Sequence, residues 1–204
     1  MCIKISNPYS FTAPELLVIK NNFTVHTDWE KDCFQEIKDN IRDHLRPEQG
    51  NKCCYCKREL GYDIKDVDIE HIIPKSKYPK FTFEPKNLAL SCPGCNTIKG
   101  DDEVLKKKIV FYPKHSKNTL IIHAHYDEYD KHIEIHEGLL FEAITKKGSH
   151  TITTCELFRL KKALKKAKEQ KQNANKSSQL VAAAMKADAD ELVEILKVIQ
   201  GRIK

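Results

Sequence analysis

The stretch that decides the fold runs from CCYC at residues 53–56, through DIEHIIPK at 68–75, to NLALSCPGCN at 87–96. Its two ends each hold a C-x-x-C pair, and together they supply four cysteines: Cys53, Cys56, Cys92 and Cys95. Two such pairs are typical of a tetrahedral zinc site. Because four thiolates close the coordination sphere and leave no position for water, we predict that this zinc is structural.

The alternative pairing of Cys54 with Cys56 as C-x-C is less common than the C-x-x-C knuckle. We therefore treat the remaining cysteines as ordinary thiols: Cys2, Cys33, Cys54 and Cys155. Eight cysteines without a recognisable signal peptide indicate a reducing compartment and metal binding rather than disulfides.

Between the two pairs, the pattern predicts a ββα order. Residues 67–69 form a short apolar strand leading into His71, and residues 88–90 form a second one. The prolines at 74, 79 and 85 mark a loop between the strands, and residues 95–99 begin a short helix.

These segments resemble the HNH, or ββα-metal, endonuclease family, whose three signature positions correspond here to His71, Asn87 and Asn96. Asn96 stands where the family name has a second His, and Glu70 stands where many members have Asp. Glu70 and Asn96 both offer oxygen ligands. The resemblance implies that Asn87 orients the loop that carries His71 rather than contacting metal.

The chemistry of phosphodiester hydrolysis leads to the same roles. A neutral His71 can take a proton from water at physiological pH as general base. A divalent cation held by Glu70 and Asn96 can stabilise the leaving oxygen, and oxygen ligands favour Mg²⁺ or Mn²⁺. Asp68 lies two residues before Glu70 on the same strand face, so we expect it to be a second-shell or alternative ligand.

Lysines follow both parts of the motif, at Lys75, Lys77 and Lys99. They are candidates for holding nucleic-acid phosphates, although each is as readily explained as a solvated lysine. Net charge is +6, which permits nucleic-acid binding without establishing it. A basic helix face at 161–168 could likewise contact nucleic-acid phosphates or simply be exposed to solvent.

Beyond the motif, the chain resembles the HNH component of Septu-like and retron-associated antiphage systems, whose members act with an ATPase. The resemblance rests on Trp29 and the helix before CYC, and on the His123-x-His125 order with its following Lys-Gly-Ser-His segment. His123, His125 and His132, with Asp127 and Asp130, also form a weak candidate for a second metal site.

We expect an α+β fold: a zinc-braced ββα core at 51–108, after a lead-in and a helix at 1–50. A small β-rich extension at 109–154 and a helical region at 155–204 follow. Strands are expected at 109–112, 119–123, 132–136 and 151–153, and a last helix at about 179–200. The apolar faces of the C-terminal helices are candidates for a homodimer.

The sequence thus predicts a metal-dependent endonuclease acting on DNA, as a defence effector controlled by an ATPase or another subunit. The family leaves 5′-phosphate and 3′-hydroxyl ends. Two alternatives stay open: a non-catalytic zinc module that binds nucleic acid, and a nuclease of RNA or tRNA. No apolar run approaches the roughly 18 residues of a membrane span, and we expect a cytoplasmic protein without membrane contact.

Overall fold

The computed structural model describes residues 4–136 and 140–160, with 165, 166 and 169. Its contacts separate two compact units, Met1–Phe158 and Arg159–Lys204. The architecture below belongs to the first unit. The helix expected at about 179–200, the basic face at 161–168 and the proposed dimer face lie largely or wholly outside the described residues.

The centre of the first unit is the ββα element. Strands β1 (Asp68–His71) and β2 (Leu88–Ser91) pair antiparallel, with His71 opposite Leu88. Helix α3 (Pro93–Lys99) follows at once, with a proline in its first turn. Gly100 ends the helix at φ 51, in the left-handed region that glycine tolerates. The predicted α+β fold with an HNH-type core is therefore confirmed.

Helix α2 (Gln35–Glu48) packs against this core through its apolar face, which consists of Ile37, Ile41 and Leu45. The sequence predicted a lead-in and a helix within residues 1–50, with Thr27 as a possible N-cap of that helix. Two 3-10 turns, His26–Glu30 and Asp32–Phe34, occupy the stretch around Thr27 instead. Pro47 is accommodated in the last turn, and the chain then turns sharply at Gly50, whose φ is 56.

Residues 13–22 are helical, although an extended lead-in was expected there. This helix, α1 (Ala13–Asn22), begins with a capping box in which Thr12 and Glu15 satisfy each other's backbone N–H groups. Glu15 also accepts hydrogen bonds from Tyr9 at 2.6 Å and from Asn40 of α2 at 3.1 Å. The T-x-x-E signal was present in the sequence and was missed.

The segment after the core is less β-rich than predicted. Strands β3 (Ile133–His136) and β4 (Leu140–Ala143) form one antiparallel hairpin, but residues 109–112 and 120–123 are irregular. Residues 151–153, expected as a strand, belong to helix α4 (Lys146–Thr154), which Thr145 caps. Gly148 permits the close approach of α4 to residue 132, because a Cβ at this position would overlap the carbonyl oxygen of His132.

An aromatic cluster joins the N-terminal elements to the core. Phe83 lies at its centre, with ring centroids of Phe23, Phe34 and Trp29 at 5.1 to 5.2 Å. Large aromatic surfaces packed in this way stabilise a core strongly. The cluster brings the first fifty residues against the loop that follows β1. Among the described residues, no helix combines the length and apolar character needed to cross a membrane.

Candidate active site and metal centre

The four cysteines of the two C-x-x-C pairs converge in the fold. Their sulfur atoms lie within 4.8 Å of one another and all four side chains are buried. A tetrahedral Zn²⁺ with bonds of about 2.3 Å requires sulfurs about 3.8 Å apart. Cys56 Sγ and Cys92 Sγ are separated by 3.8 Å. The cluster therefore fits a zinc ion, with Cys53, Cys56, Cys92 and Cys95 as ligands.

The backbone around the first pair is that of a tight knuckle. The N–H of Lys57 donates to the carbonyl of Cys53 at 3.1 Å, and Lys57 has φ 56. Cys54 is buried but is not one of the clustered thiols; its N–H donates to the carbonyl of Leu90 on β2 at 2.9 Å. The cysteine site is thereby attached directly to the second strand of the ββα element.

His71 ends β1 and is buried, with 8% of its surface exposed. Its Nε2 lies 3.1 Å from the carbonyl oxygen of Thr82. Because a carbonyl only accepts, Nε2 carries the proton of the neutral ring and Nδ1 holds a free lone pair. Burial, aided by the charge of Lys75, lowers the pKa of His71 to about 3. The ring is thus held neutral at physiological pH.

One further contact holds the ring of His71, and another holds its backbone. Trp29 meets it edge-on with centroids 4.7 Å apart. The carbonyl of His71 accepts a hydrogen bond from Lys99 Nζ at 3.0 Å. The Thr82 hydrogen bond and the Trp29 contact restrict rotation of the imidazole, which favours a defined reaction geometry.

Asn87 is fully buried, and its side-chain amide is hydrogen-bonded to the loop after His71. Its Oδ1 accepts from the N–H of Ile73 at 2.7 Å, and its Nδ2 donates to the carbonyls of Ile73 and Phe81, both at 2.9 Å. These bonds close the 73–81 loop against β2. This geometry is suited to the role that the family resemblance implies for Asn87, which is to orient the loop that carries His71.

Asn96, on α3, lies beside Asp68 of β1. Its Nδ2 donates to Asp68 Oδ2 at 2.9 Å, so the amide is oriented and its oxygen Oδ1 is available as an acceptor. Asn96 and His71 line the same two clefts, one on the Asp68 side and one on the Glu70 side. His71 and Asn96 are thus shared by two clefts, one of which also has the Asp68 carboxylate in its lining and the other the Glu70 carboxylate.

Glu70 is held more tightly than the sequence suggested. Lys99 Nζ lies 2.7 Å from its Oε1, both side chains are 1% exposed, and Tyr55 donates to the same oxygen at 2.9 Å. Burial raises the pKa of Glu70, and the Lys99 ammonium opposes that shift. Both of these contacts are made to Oε1, and neither involves Oε2.

The three lysines predicted to contact nucleic acid lie in different environments. Lys75 lines both clefts and Lys77 is exposed in the loop after His71. Lys99 is buried in the ion pair with Glu70. We therefore assign Lys99 to the support of the site rather than to phosphate contact.

Sequence reasoning missed a buried support behind Asn87. Tyr112 donates to Asn87 Oδ1 at 3.2 Å and lies 2.9 Å from His123 Nε2. His125 Nε2 donates to the carbonyl of Leu88 at 2.8 Å. Among the described residues, metal-sized groups form at the four cysteines and at the exposed set Glu134, His136 and Glu142, not at His123 or His125. The His-x-His spacing therefore marks buried hydrogen bonding.

With this geometry in place, comparison with known proteins defines the class. Residues 53–102 match the HNH endonuclease family. These residues contain the cysteine cluster, both strands and α3, so the chain carries an HNH endonuclease domain.

Two proteins are similar to part of this chain. The chain is 38% identical over 61 residues to the Septu protein PtuB of Bacillus thuringiensis, covering 30% of this chain and 24% of that protein. It is 37% identical over 68 residues to the Retron Vc95 putative HNH endonuclease of Vibrio cholerae serotype O1 biovar El Tor, covering 32% of each. The matches thus span a quarter to a third of these relatives. No solved structure matches.

Proposed function

We propose that this chain is a metal-dependent endonuclease that hydrolyses phosphodiester bonds in DNA. The observation that carries the proposal is the neutral, immobilised His71 beside Asn96, with Nε2 committed to Thr82 and Nδ1 free. A base of this kind, next to oxygen ligands and within an HNH domain, supports hydrolysis rather than binding alone.

His71 takes a proton from water at Nδ1 as the water oxygen forms its bond to phosphorus. The bond from phosphorus to the 3′-oxygen then breaks, and the departing oxygen takes a proton from solvent, giving 5′-phosphate and 3′-hydroxyl ends. Thr82 holds the ring in the tautomer that makes Nδ1 the base. Asn87 keeps the adjoining loop in place.

The donors around His71 suit a hard cation such as Mg²⁺ or Mn²⁺, which would supply charge neutralisation at the phosphate and the leaving oxygen. We assign its binding to Glu70 Oε2 and Asn96 Oδ1. Asp68 holds the Asn96 amide in the orientation this requires, through the 2.9 Å bond to Nδ2. Separately, we assign structural Zn²⁺ to the four cysteines, whose spacing it fits.

The similarity to a Septu protein and to a retron HNH protein supports a role in prokaryotic antiphage defence. We propose that the chain acts there as the nuclease component, with an ATPase or another subunit controlling it. Co-purification from the native host tests this part: a stable complex is expected, and recovery of the isolated chain alone contradicts it.

The nuclease proposal is tested with zinc-loaded protein on supercoiled plasmid, with Mg²⁺, Mn²⁺ or EDTA, beside His71→Ala. Cleavage is expected with either cation, none with EDTA, and a loss of at least about 100-fold in His71→Ala. The exposed His115→Ala is the matched control and should cut normally. If His71→Ala cuts at the wild-type rate, His71 is not the base.

The same assay distinguishes the alternatives. A zinc-loaded chain that binds but never nicks nucleic acid is a non-catalytic module. A chain that cuts RNA but not plasmid is an RNA-directed nuclease. The ligand assignment has its own readout in Mn²⁺ binding followed by electron paramagnetic resonance: Glu70→Gln should lose Mn²⁺ more completely than Asp68→Asn, and the reverse order would make Asp68 the direct ligand.

A further inference from the structure

Helix α2 contributes to a cleft next to His71 although α2 lies outside the HNH domain. This cleft, of about 230 Å³, is called the α2 cleft here and is defined by Lys38, Arg42, Asp68, His71, Lys75 and Asn96. Lys38 and Arg42 are four residues apart and so share one face of α2. The cleft therefore joins a helix with two cations to the proposed catalytic residues.

The cations of the α2 cleft are poorly neutralised by the fold. Lys38 Nζ and Lys75 Nζ share one carboxylate, that of Glu30, at distances of 3.9 and 3.8 Å. The Glu30 side chain is 72% exposed, so its contribution is weakened by solvent. The residues lining the cleft include three cations, Lys38, Arg42 and Lys75, and two carboxylates, Glu30 and Asp68, so one positive charge remains in excess.

Lys38 is the least expected of these cations because only 8% of its surface is exposed. Its ammonium lies 5.3 Å from the centre of the Trp29 ring, a partial compensation for lost hydration. Burial lowers the pKa of Lys38, and the positive charges of Arg42 and Lys75 add to that effect while Glu30 opposes it. Holding a cation here costs stability that an apolar residue would not.

Arg42 also has a hydrogen-bond donor that the fold does not satisfy. Its Nη1 contacts Asp39 at 2.5 Å, but its Nε is buried and has no hydrogen-bond partner in the described part of the chain. An unpaired buried donor is costly unless a ligand satisfies it. Arg42 Nε is thus an unsatisfied donor and Lys38 Nζ a poorly satisfied one, on two residues that both line the α2 cleft.

We propose that the α2 cleft binds a backbone phosphate of the nucleic acid, with Lys38 and Arg42 as its direct contacts. This inference rests on the proposed nuclease function and extends it, because it places substrate contacts on α2. A phosphate in the cleft lies beside His71 and Asn96, so α2 positions the strand for cleavage. Guanidinium and ammonium groups are the side chains best suited to this task.

The test is the salt dependence of binding to a fluorescent 20-base-pair DNA duplex, without added Mg²⁺ or Mn²⁺, so that no cleavage occurs and the cysteine site keeps its zinc. Lys38→Met keeps the aliphatic packing against Trp29 and removes the charge. Each phosphate contact contributes about 0.9 to the slope of log Kobs against log salt. Lys38→Met and Arg42→Gln should each lower the slope by about that amount and weaken binding roughly three- to tenfold.

The matched control is Lys20→Met, which removes an exposed lysine of α1 with the same change of net charge. It should leave the slope nearly unchanged. Thermal unfolding supplies a readout that a merely structural role would not give: Lys38→Met should keep or raise the melting temperature while weakening binding.

Three other outcomes would contradict the phosphate-site proposal, the nuclease proposal or the assignment to DNA. If wild type binds duplex but Lys38→Met matches Lys20→Met, the α2 cleft is not a phosphate site and the nuclease proposal stands. If wild type binds neither duplex nor single-stranded RNA, both proposals fall. If the Lys38→Met effect is confined to RNA, the cleft belongs to an RNA backbone and the assignment to DNA is wrong.

Discussion

Lys99 and Glu70 form an ion pair of 2.7 Å in which both side chains are almost completely buried. The pair connects α3 to β1, the two elements that carry Asn96 and His71. Lys99 also donates to the carbonyl of His71, and Tyr55 donates to Glu70. Breaking a buried pair leaves an uncompensated charge, so the pair holds the geometry of the site even if it adds little net stability.

Replacement of Lys99 by Met should therefore destabilise the protein by about 3 kcal/mol or more, because it strands the Glu70 carboxylate. Adding Glu70→Gln should recover part of that loss. Urea unfolding of the single and double variants in zinc-containing buffer measures both effects.

The exposed pair Lys131–Glu128 provides the comparison, with side chains 69% and 61% exposed. Lys131→Met should cost less than about 0.5 kcal/mol. Equal losses for Lys99→Met and Lys131→Met would show that burial of the first pair has no energetic consequence.

The cysteine cluster predicts a sharp difference between neighbouring thiols. Cys56→Ser should lose zinc and unfold or aggregate, because one of four clustered ligands is removed. Cys54→Ser should retain one zinc per chain. Elemental analysis by mass spectrometry after dialysis gives the stoichiometry. A full zinc complement in purified Cys56→Ser would contradict the ligand assignment.

Asn87→Ala should be costly although it touches neither zinc nor the proposed cation site. It removes the partners of the Ile73 N–H and carbonyl inside the core, and unsatisfied buried groups cost about 1–3 kcal/mol each. We expect a loss of about 3 kcal/mol and slower cleavage with zinc content unchanged.

Asn22→Ala is the control for Asn87→Ala, because Asn22 donates a single hydrogen bond, to Val18, at the end of α1. Its loss should stay below about 1 kcal/mol. If Asn87→Ala cleaves at the wild-type rate and has normal stability, Asn87 does not orient the loop.

His125 should make the fold sensitive to mild acid. Burial lowers its pKa to about 4, with Lys86 adding to the shift while the Leu88 hydrogen bond and Glu48 oppose it. The unfolded chain, with a pKa of about 6.5, binds the proton first, so stability falls as pH drops from about 6.5 to 4. The loss attributable to His125 is about 3 kcal/mol at and below the lower pH.

Comparison with His125→Gln isolates this contribution from other acid effects. The variant should lose less stability than wild type between pH 7 and 4.5, measured by urea unfolding. His115→Gln, at an exposed position, should follow wild type. Parallel pH profiles for wild type and His125→Gln would show that this histidine is not the source.

Local signals explain what could be predicted. The C-x-x-C pairs and the apolar runs at 67–69 and 88–90 act over a few residues, and they located the cysteine cluster and the ββα element. The prediction failed where packing overrides local preference. Residues 151–153 are β-branched and read as a strand, yet Thr145 caps a helix there and buried Thr151 accepts a hydrogen bond from Ile122.

The sequence by itself determined the class of domain and singled out His71, Asn87 and Asn96 as candidate site residues, because their spacing is set within one short segment. Tertiary structure alone decided which groups are charged, buried or free. It placed Lys99 in an ion pair rather than at the surface, and it brought Lys38 and Arg42 of α2 beside His71. Such relations depend on contacts between residues far apart in the chain, which no local pattern encodes.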